Sequence, residues 1–439
     1  MRSQALQEKR RFIAGKFVIG IDPGRDRHQA CILNPQGEER RNFSFPVNRQ
    51  GFDETLEKTL SLYVNPQDKA SFVFAIETAC NLWQTLAHFL GSRGYTVVLV
   101  NPLTTYHSRA LPGHDYSKTD PKDALLVASN VRAGYFDWYR TYSFEINAMH
   151  QLSMVYCKIR NTLLQQRSRL RTYIGYVFPE FFEVVRLDTH TARFLLKRYF
   201  LPKHYLALDL EKVAAEIAKI SGNQYGLATL KHLREKAATS IGISKSALEE
   251  NVDRLAVETW LSAEEQLQKQ LDLVLEKLLS LAKKTAYFNS LLSIKGVSDI
   301  LASLFIAETR DLALYQHYKQ IEKLAGYNLR LVDSGRYAGA RRISGIGNSR
   351  LSWILYKMTE EMAKYVPEVR IKYLTRQIAK RCYRKNLVAC VPKALKVTFG
   401  LAQKKSAYEP NAEALNKVKK LEQQYEKVLK GKKRTARQN

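Results

Sequence analysis

Four acidic residues stand at positions from which they could form one site. Asp22 ends the apolar segment FVIGID, and Glu77 ends a second apolar segment, SFVFAIE. Short apolar runs of this kind are typical of buried strands, and a carboxylate at the end of a buried strand is costly to desolvate unless a cation or hydrogen-bond donors meet it. Asp120 and Asp123 are three residues apart at a predicted helix start, so they share one face of that helix.

Such carboxylates would repel one another strongly if they converged. Two Mg²⁺ or Mn²⁺ ions about 4 Å apart would relieve that repulsion and would hold a phosphate group between them. The alternative is a set of unrelated strand ends and helix caps. The pattern therefore predicts a metal site for phosphodiester chemistry, with Asp22, Glu77, Asp120 and Asp123 as its ligands.

A serine among arginines is the second candidate. Ser334 lies in the segment DSG. The arginines around it are Arg330, Arg336, Arg341, Arg342 and Arg350. A hydroxyl in a cationic pocket could attack phosphorus, because the positive charge stabilises both the alkoxide and the charge that develops on phosphorus. The alternative is a Ser-Gly turn in a loop that only binds phosphate.

The amino-acid composition indicates which kind of partner the protein binds and in which compartment we expect it. The chain carries 70 Lys and Arg against 42 Asp and Glu, a net charge of +28, which indicates a polyanionic partner such as nucleic acid. Its five Cys include no Cys-x-x-Cys pair, which argues against a zinc site or a disulfide framework, and there is no Walker loop for ATP. No apolar run reaches the length of a membrane span. We expect a cytoplasmic, nucleoid-associated protein without a membrane partner.

The fold class expected from these patterns is α/β followed by α. Residues 15–140 should form three antiparallel strands and then alternating strands and helices, which is the plan of an RNase H-like (RuvC-like) domain. Within it, Leu103–Thr119 is predicted to be a loop. Residues 146–288 should form a helical region whose two heptad-like helices could pair as an antiparallel coiled coil, within one chain or between chains, around a basic helical insertion at about 180–250.

The last third of the chain is also predicted to be mostly helical. Residues 289–400 begin with LLSIKGVSDILASLFIAET, which resembles a helix–hairpin–helix, although an ordinary pair of helices would look similar. Residues 401–439 should form an amphipathic helix and a disordered basic tail that contacts phosphates.

Several segments resemble the insertion-sequence-110-type transposases, which are related to the Piv/MooV DNA invertases. They are VIGIDPGRDRHQACI, FAIETACNLWQTLAHFLGSRGYTVVLVNP, SKTDPKDALLVA, LLSIKGVSDILASLFIAE and LAGYNLRLVDSGRYAGARRISGIGNSRL. The resemblance implies a RuvC-like DEDD catalytic domain and a C-terminal transposase domain. One departure is Asp333, which replaces the first Ser of the usual Ser-Ser-Gly.

The same resemblance implies a function. It places the family's four acids on Asp22, Glu77, Asp120 and Asp123, and its nucleophilic serine on Ser334. It implies strand exchange of donor and target DNA through a phosphoserine at a composite site of metal-bound acids and serine, guided by a bridge RNA, with dimers assembling into a tetramer. Two alternatives remain: a Holliday-junction-resolvase-like nuclease that uses metal and water, and a non-catalytic nucleic-acid-binding protein derived from a transposase.

Overall fold

A computed structural model describes residues 2–79, 81–110, 117–330, 333–334, 337–339, 342–379 and 381–435. The chain divides into two compact units, Met1–Thr141 and Tyr142–Asn439. The first unit is a mixed α/β structure and the second is almost entirely helical, which confirms the coarse fold class predicted from the sequence.

A six-stranded sheet organises the first unit, in the spatial order β3-β2-β1-β4-β5-β6. Its strands are β1 (Phe17–Asp22), β2 (Arg27–Leu33), β3 (Glu39–Pro46), β4 (Phe72–Glu77), β5 (Val97–Val100) and β6 (Asp137–Trp138). The first three strands pair antiparallel, β4 and β5 run parallel to β1, and β6 is antiparallel to β5. The central strands are buried on both faces, which explains their continuous apolar sequences.

Helices cover both faces of this sheet. They are α1 (Arg2–Ile13), a π-helix (Gly51–Glu57), α2 (Lys58–Ser61), α3 (Leu82–Ser92), α4 (Pro102–Ser108) and α5 (Asp120–Arg132). One core lies between the sheet, α3 and the π-helix, and the other lies between the sheet and α5. The loop predicted over Leu103–Thr119 is wrong at its start, because α4 occupies that part of the chain.

Close contact between β1 and α5 depends on Gly20. A Cβ atom at Gly20 would lie 2.3 Å from the carbonyl oxygen of Ala124 and 2.7 Å from the Cβ of Ala128. Only a residue without a side chain allows this approach. The start of α5, which carries Asp120 and Asp123, is thereby held against β1.

Two long helices pack against each other at the beginning of the second unit. They are α6 (Phe144–Val177) and α12 (Ala247–Ala282). The start of α6 shares a core with the end of α12, and the end of α6 shares another core with the start of α12, so the helices are antiparallel within one chain. Leu271 and Leu278 belong to this intramolecular core, which leaves them unavailable for a seam between chains.

A small helical lobe connects these two helices. It consists of α7 (Phe181–Val184), α8 (His190–Arg198), α9 (Pro202–Leu206), α10 (Leu210–Ser221) and α11 (Leu227–Ala238). Its core includes Phe178, Phe181, Phe200 and Tyr205.

The remaining helices form the C-terminal part of the second unit. They are α13 (Phe288–Leu292), α14 (Asp299–Thr309), α15 (Tyr318–Leu324), α16 (Ser349–Tyr365), α17 (Pro367–Ile378), α18 (Tyr383–Lys404) and α19 (Ala412–Thr435), with a 3₁₀ turn at Leu312–Leu314. The helix predicted within residues 401–439 is present as α19, and residues 436–439 of the predicted basic tail lie outside the described residues. No helix in the described ranges is both long and apolar enough to cross a membrane.

Four very short strands lie between α15 and α16. They are β7 (Leu329–Arg330), β8 (Asp333–Ser334), β9 (Tyr337–Ala338) and β10 (Arg342–Ile343). β7 pairs antiparallel with β10, and β8 pairs antiparallel with β9, so this segment is a pair of nested hairpins.

Candidate active site

Asp22 and Glu77 lie side by side at one edge of the sheet. The parallel pairing of β1 with β4 places Ile21 opposite Ile76, so the next residue on each strand is an acid at the same strand end. The two side chains are close enough for Glu77 to contribute to the raised pKa of Asp22. Sheet register therefore brings together two acids that are 55 residues apart in the sequence.

Helix α5 brings the other two acids to the same edge. It begins at Asp120, has Pro121 in its first turn, and carries both Asp120 and Asp123 in that turn. Asp123 is 1% exposed, whereas Asp120 is exposed. All four acids predicted from the sequence line the same cavity.

The negative charges of the clustered acids repel one another, and this repulsion affects the pKa of Asp22. The pKa of Asp22 is raised from 3.8 to about 6, chiefly by burial and then by the charges of Glu77, Asp123 and Asp120, in that order. A carboxylate surrounded by carboxylates favours its protonated form unless a cation is present. The donor chemistry thus fits a hard divalent cation.

Arg109 supplies positive charge at one acid. Its Nε donates to Oδ1 of Asp123 at 3.0 Å, and its Nη2 donates to Oδ2 at 2.9 Å. The side chain of Asp123 is 2% exposed and that of Arg109 is 17% exposed, so this two-bond ion pair is largely removed from water. Arginine and carboxylate match in this geometry, and the bonds are charge-assisted.

The sequence reasoning missed Arg109, although a signal was present. Asn101 and Pro102 mark a helix start: the Asn101 side chain accepts a bond from the Leu103 backbone N–H at 2.9 Å, and Pro102 occupies the first turn. Reading that pair as the start of α4 would have placed Arg109 directly after a short helix that packs on α5.

An open cavity of about 710 Å³ lies over the acids, and we call it the acid cavity. Besides the acids it is lined by the cationic side chains of Arg27, Arg109 and Lys118 and by His28, Gln29 and Tyr106. Within the described residues, no three His, Cys, Asp or Glu are already gathered around one metal position. Both carboxylate oxygens of Asp123 accept bonds from Arg109, so a cation bound at Asp123 would compete with those two bonds.

Ser334 lies in the second unit. Its backbone is in β8, opposite Tyr337 of β9, and its side chain lies outside the described atoms. Arg336 and Arg341 also lie outside the described residues. Arg330 and Arg342 face each other across the β7–β10 pair, and both are exposed to solvent.

Arg350, the last of the five predicted arginines, binds a buried acid. Its Nε donates to Oε1 of Glu308 at 2.7 Å, and the side chain of Glu308 is fully buried. Burial raises the pKa of Glu308, but the bonds donated by Arg350 and Asn348, and by Ser153, outweigh burial and hold that pKa below its usual range. Arg350 therefore makes a structural contact through its Nε, and the nucleic-acid contact proposed for it stays a prediction.

This buried acid fixes the end of the Ser334 segment. Asn348 caps α16 and also donates to Oε2 of Glu308 at 2.6 Å. Near the same end, the backbone N–H of Gly345 donates to the carbonyl of Gly326 at 3.0 Å. The two ends of the hairpin segment are therefore joined to each other by the Gly345–Gly326 bond, and its C-terminal end is joined to α14 through Glu308.

Two family models match the chain. A transposase DEDD-domain model matches residues 19–183, and a model described as Transposase IS116/IS110/IS902 family matches residues 289–374. The first match contains the acids and the second contains Ser334.

Two curated relatives share a shorter region. A pilin gene-inverting protein of Moraxella bovis is 33% identical over 113 residues, which cover 26% of this chain and 33% of the relative. The pilin gene-inverting protein of Moraxella lacunata gives the same identity and coverage. The chain thus aligns with about a third of the length of these relatives.

Proposed function

Because the chain belongs to the IS116/IS110/IS902 family of transposases, we propose that it cleaves and rejoins DNA strands as a transposase or recombinase. The observation that carries this proposal is the convergence of Asp22, Glu77, Asp120 and Asp123 at one cavity, where burial and then the charges of the other three acids raise the pKa of Asp22 to about 6. Clustered and partly buried carboxylates destabilise a fold unless they bind cations, so such a cluster is typical of a functional site. The strand order of the first unit supports an RNase H-like domain.

The acids would hold a divalent cation, Mg²⁺ or Mn²⁺. When bound, the cation would supply Lewis-acid stabilisation of charge on the phosphate. Asp22 and Glu77 would provide ligands from the sheet edge, and Asp120 and Asp123 would provide ligands from α5. Arg27 and Lys118, which line the same cavity, would attract the sugar–phosphate backbone.

Ser334 would be the nucleophile. Its Oγ would form a bond to phosphorus, and the bond from phosphorus to the 3′ oxygen of the DNA would break, with the serine proton ending on the leaving oxygen through solvent or a carboxylate. The 3′ hydroxyl of the exchanged strand would then attack the phosphoserine and release Ser334. Firm anchoring of the hairpin base through Glu308 supports a role for this segment that needs fixed geometry.

The partners proposed for this activity are donor DNA, target DNA and a structured guide RNA. The net charge of +28 supports a polyanionic partner but does not distinguish DNA from RNA. We further propose assembly of dimers into a tetramer, with the protein in the cytoplasm at the nucleoid. Sequencing the RNA that copurifies with the protein tests the guide, and light scattering with DNA and RNA present tests the assembly.

One observation favours a second candidate function. All the acids and their cavity lie within the first unit, so hydrolysis by metal-activated water would require nothing from Ser334. That enzyme would be a nuclease resembling Holliday-junction resolvases. It would leave no protein–DNA adduct.

Denaturing electrophoresis separates these functions. Protein is incubated with labelled DNA, copurified RNA and Mg²⁺, and the adduct that survives denaturation is measured. We expect an adduct with wild type and with the control Ser349→Ala, which changes an exposed serine of the same unit, and none with Ser334→Ala or Asp22→Asn. An adduct with Ser334→Ala would exclude Ser334 as nucleophile, and cleavage by wild type without an adduct would favour the nuclease.

A further inference from the structure

A second cavity adjoins the acid cavity in the first unit. It measures about 250 Å³, and we call it the aromatic cavity. It is lined by Phe52, Phe89, Leu86, Val47, Thr85, Asn48, Arg49 and His28. Its lining is mostly apolar, with polar groups from Asn48, Arg49 and Thr85. An open apolar cavity with a few polar groups is a typical binding site for a small ring system.

His28 lines both cavities. Its side chain is 3% exposed, and its Nδ1 has no hydrogen-bond partner among the described residues. Burial lowers the pKa of His28 to about 4, so the ring is neutral at physiological pH. A buried, neutral imidazole whose Nδ1 has no partner can form a hydrogen bond with the polar edge of a neutral ligand, and it offers no charge for a phosphate.

The aromatic wall is held in a fixed position. Phe52 belongs to the π-helix at Gly51–Glu57, and its ring lies 4.5 Å from that of Phe89 and 5.7 Å from that of Phe45. The turn before it is anchored because the Asn48 side chain accepts a bond from the Gly51 backbone N–H at 2.7 Å. π-Helices are rare and occur frequently at functional sites.

We propose that the aromatic cavity binds one unstacked nucleobase of the strand whose phosphate enters the acid cavity. This inference rests on the proposed function, because it needs a nucleic-acid strand at the acids. A base has the flat apolar faces that Phe52 and Phe89 can contact and a polar edge that His28 can meet. The shared His28 makes the two cavities neighbours, so one strand can fill both.

A phosphate or a free anion fits the aromatic cavity less well. Among the described residues that line it, the one arginine or lysine is Arg49, whose side chain is 83% exposed and forms an ion pair with Asp53 at 3.5 Å. The rest of the lining offers apolar surface and neutral polar groups. The chemistry therefore favours a base over the backbone that carries it.

The test compares strands that differ by a single base. One short oligonucleotide carries abasic sugars throughout, and the other is identical except for one 2-aminopurine. Because no other base competes, the strand can shift along the protein until its single base enters the aromatic cavity. Because stacking of a base on aromatic side chains is worth about 1–3 kcal/mol, the lone base should strengthen binding to wild type by roughly 5- to 150-fold in anisotropy titrations with Mg²⁺. Its fluorescence should change on binding.

Thr85→Trp fills the aromatic cavity from an exposed position on α3, so it should leave the core intact. In this variant the two oligonucleotides should bind with about the same affinity, because the lone base can no longer enter the cavity. Gln84→Trp is the matched control: it is the neighbouring exposed residue, it does not line the cavity, and it should bind like wild type. Circular dichroism checks that both variants fold.

Equal gains in wild type and Thr85→Trp would overturn the proposal, because the base would be bound elsewhere. No gain in wild type would overturn it while leaving the proposed function intact, provided that the abasic strand still binds in a Mg²⁺-dependent way. If the abasic strand shows no such dependence, both proposals fail. A change of mass on light scattering for Thr85→Trp alone, with the base gain unchanged, would assign the cavity to protein association and overturn the proposal.

Discussion

At the scale of single residues, the main departure from the sequence-based prediction is the charge balance of the acid site. Four acids were predicted to need cations, and they do meet, but Arg109 already neutralises Asp123 with two bonds. An arginine 14 residues away along the chain could not be assigned to Asp123 from spacing, because the partner of a buried charge depends on how α4 packs on α5.

The first residue-scale prediction concerns Arg109→Gln. Removing one partner of a buried ion pair leaves the other charge uncompensated, so the free energy of unfolding should fall by about 3–5 kcal/mol in urea titrations with EDTA. Arg25→Gln, at an exposed position near the acid cavity, should change it by less than about 0.5 kcal/mol. The double variant Arg109→Gln/Asp123→Asn should recover part of the loss. Equal stability of wild type and Arg109→Gln would show that the pair does not hold the site.

The second residue-scale prediction concerns pH. The pKa of Asp22 is raised from 3.8 to about 6 in the folded protein, so the folded state binds a proton that the unfolded state releases between these values. The metal-free wild type should therefore lose stability at this group as pH rises through about 6, while Asp22→Asn lacks that loss. Urea titrations with EDTA at about pH 4.5 and about pH 7.5 measure the free energy of unfolding. Relative to wild type, that of Asp22→Asn should be higher at about pH 7.5 than at about pH 4.5. A constant difference between them would contradict the raised pKa.

At the scale of elements, sequence patterns located most of the sheet but not all of the helices. Apolar runs ending in acids marked β1 and β4, because buried parallel strands are continuously apolar. The short α4 was predicted as a loop because it has only seven residues and little apolar periodicity. The heptad spacing of α6 and α12 indicated a helix pair but could not decide between one chain and two, since the same apolar stripe serves either arrangement.

The element-scale prediction concerns Gly20→Ala. The added methyl would overlap the Ala124 carbonyl and the Ala128 side chain, so α5 must move away from β1. We expect a loss of about 1–3 kcal/mol in unfolding free energy and weaker metal binding, because Asp120 and Asp123 move with the helix. Gly175→Ala in α6, where an added Cβ meets no atom within 4 Å, should be neutral or slightly stabilising. If both variants behave alike, close β1–α5 packing does not position the acids.

At the scale of the whole molecule, the net charge is the property that most clearly indicates the class of partner. A net charge of +28 far exceeds what solubility requires. Composition predicted this partner class without any fold, but it could not place the arginines: Arg350 binds Glu308, whereas Arg330 and Arg342 are exposed on the β7–β10 pair.

The whole-molecule prediction concerns salt. If Z phosphates are neutralised, log K should fall linearly with log[salt], with a slope near −0.9Z for duplex DNA and about −0.7Z for single strands. Anisotropy titrations over a range of NaCl concentrations measure this slope. Arg330→Gln/Arg342→Gln should make it shallower by up to about two units, whereas an exposed neutral change such as Ser349→Ala should not alter it. A slope near zero in wild type would contradict nucleic-acid binding through charge.

The most direct test of the central claim, that the acids form a divalent-cation site for strand cleavage, is calorimetric titration of Mn²⁺ into the whole protein. Wild type and Asp26→Asn should bind Mn²⁺ alike, because Asp26 is an exposed neighbour that does not line the acid cavity. Asp22→Asn should bind at least about tenfold more weakly, since it removes a ligand charge from the cluster. Identical Mn²⁺ binding by wild type and Asp22→Asn, or no binding by either, would contradict the account.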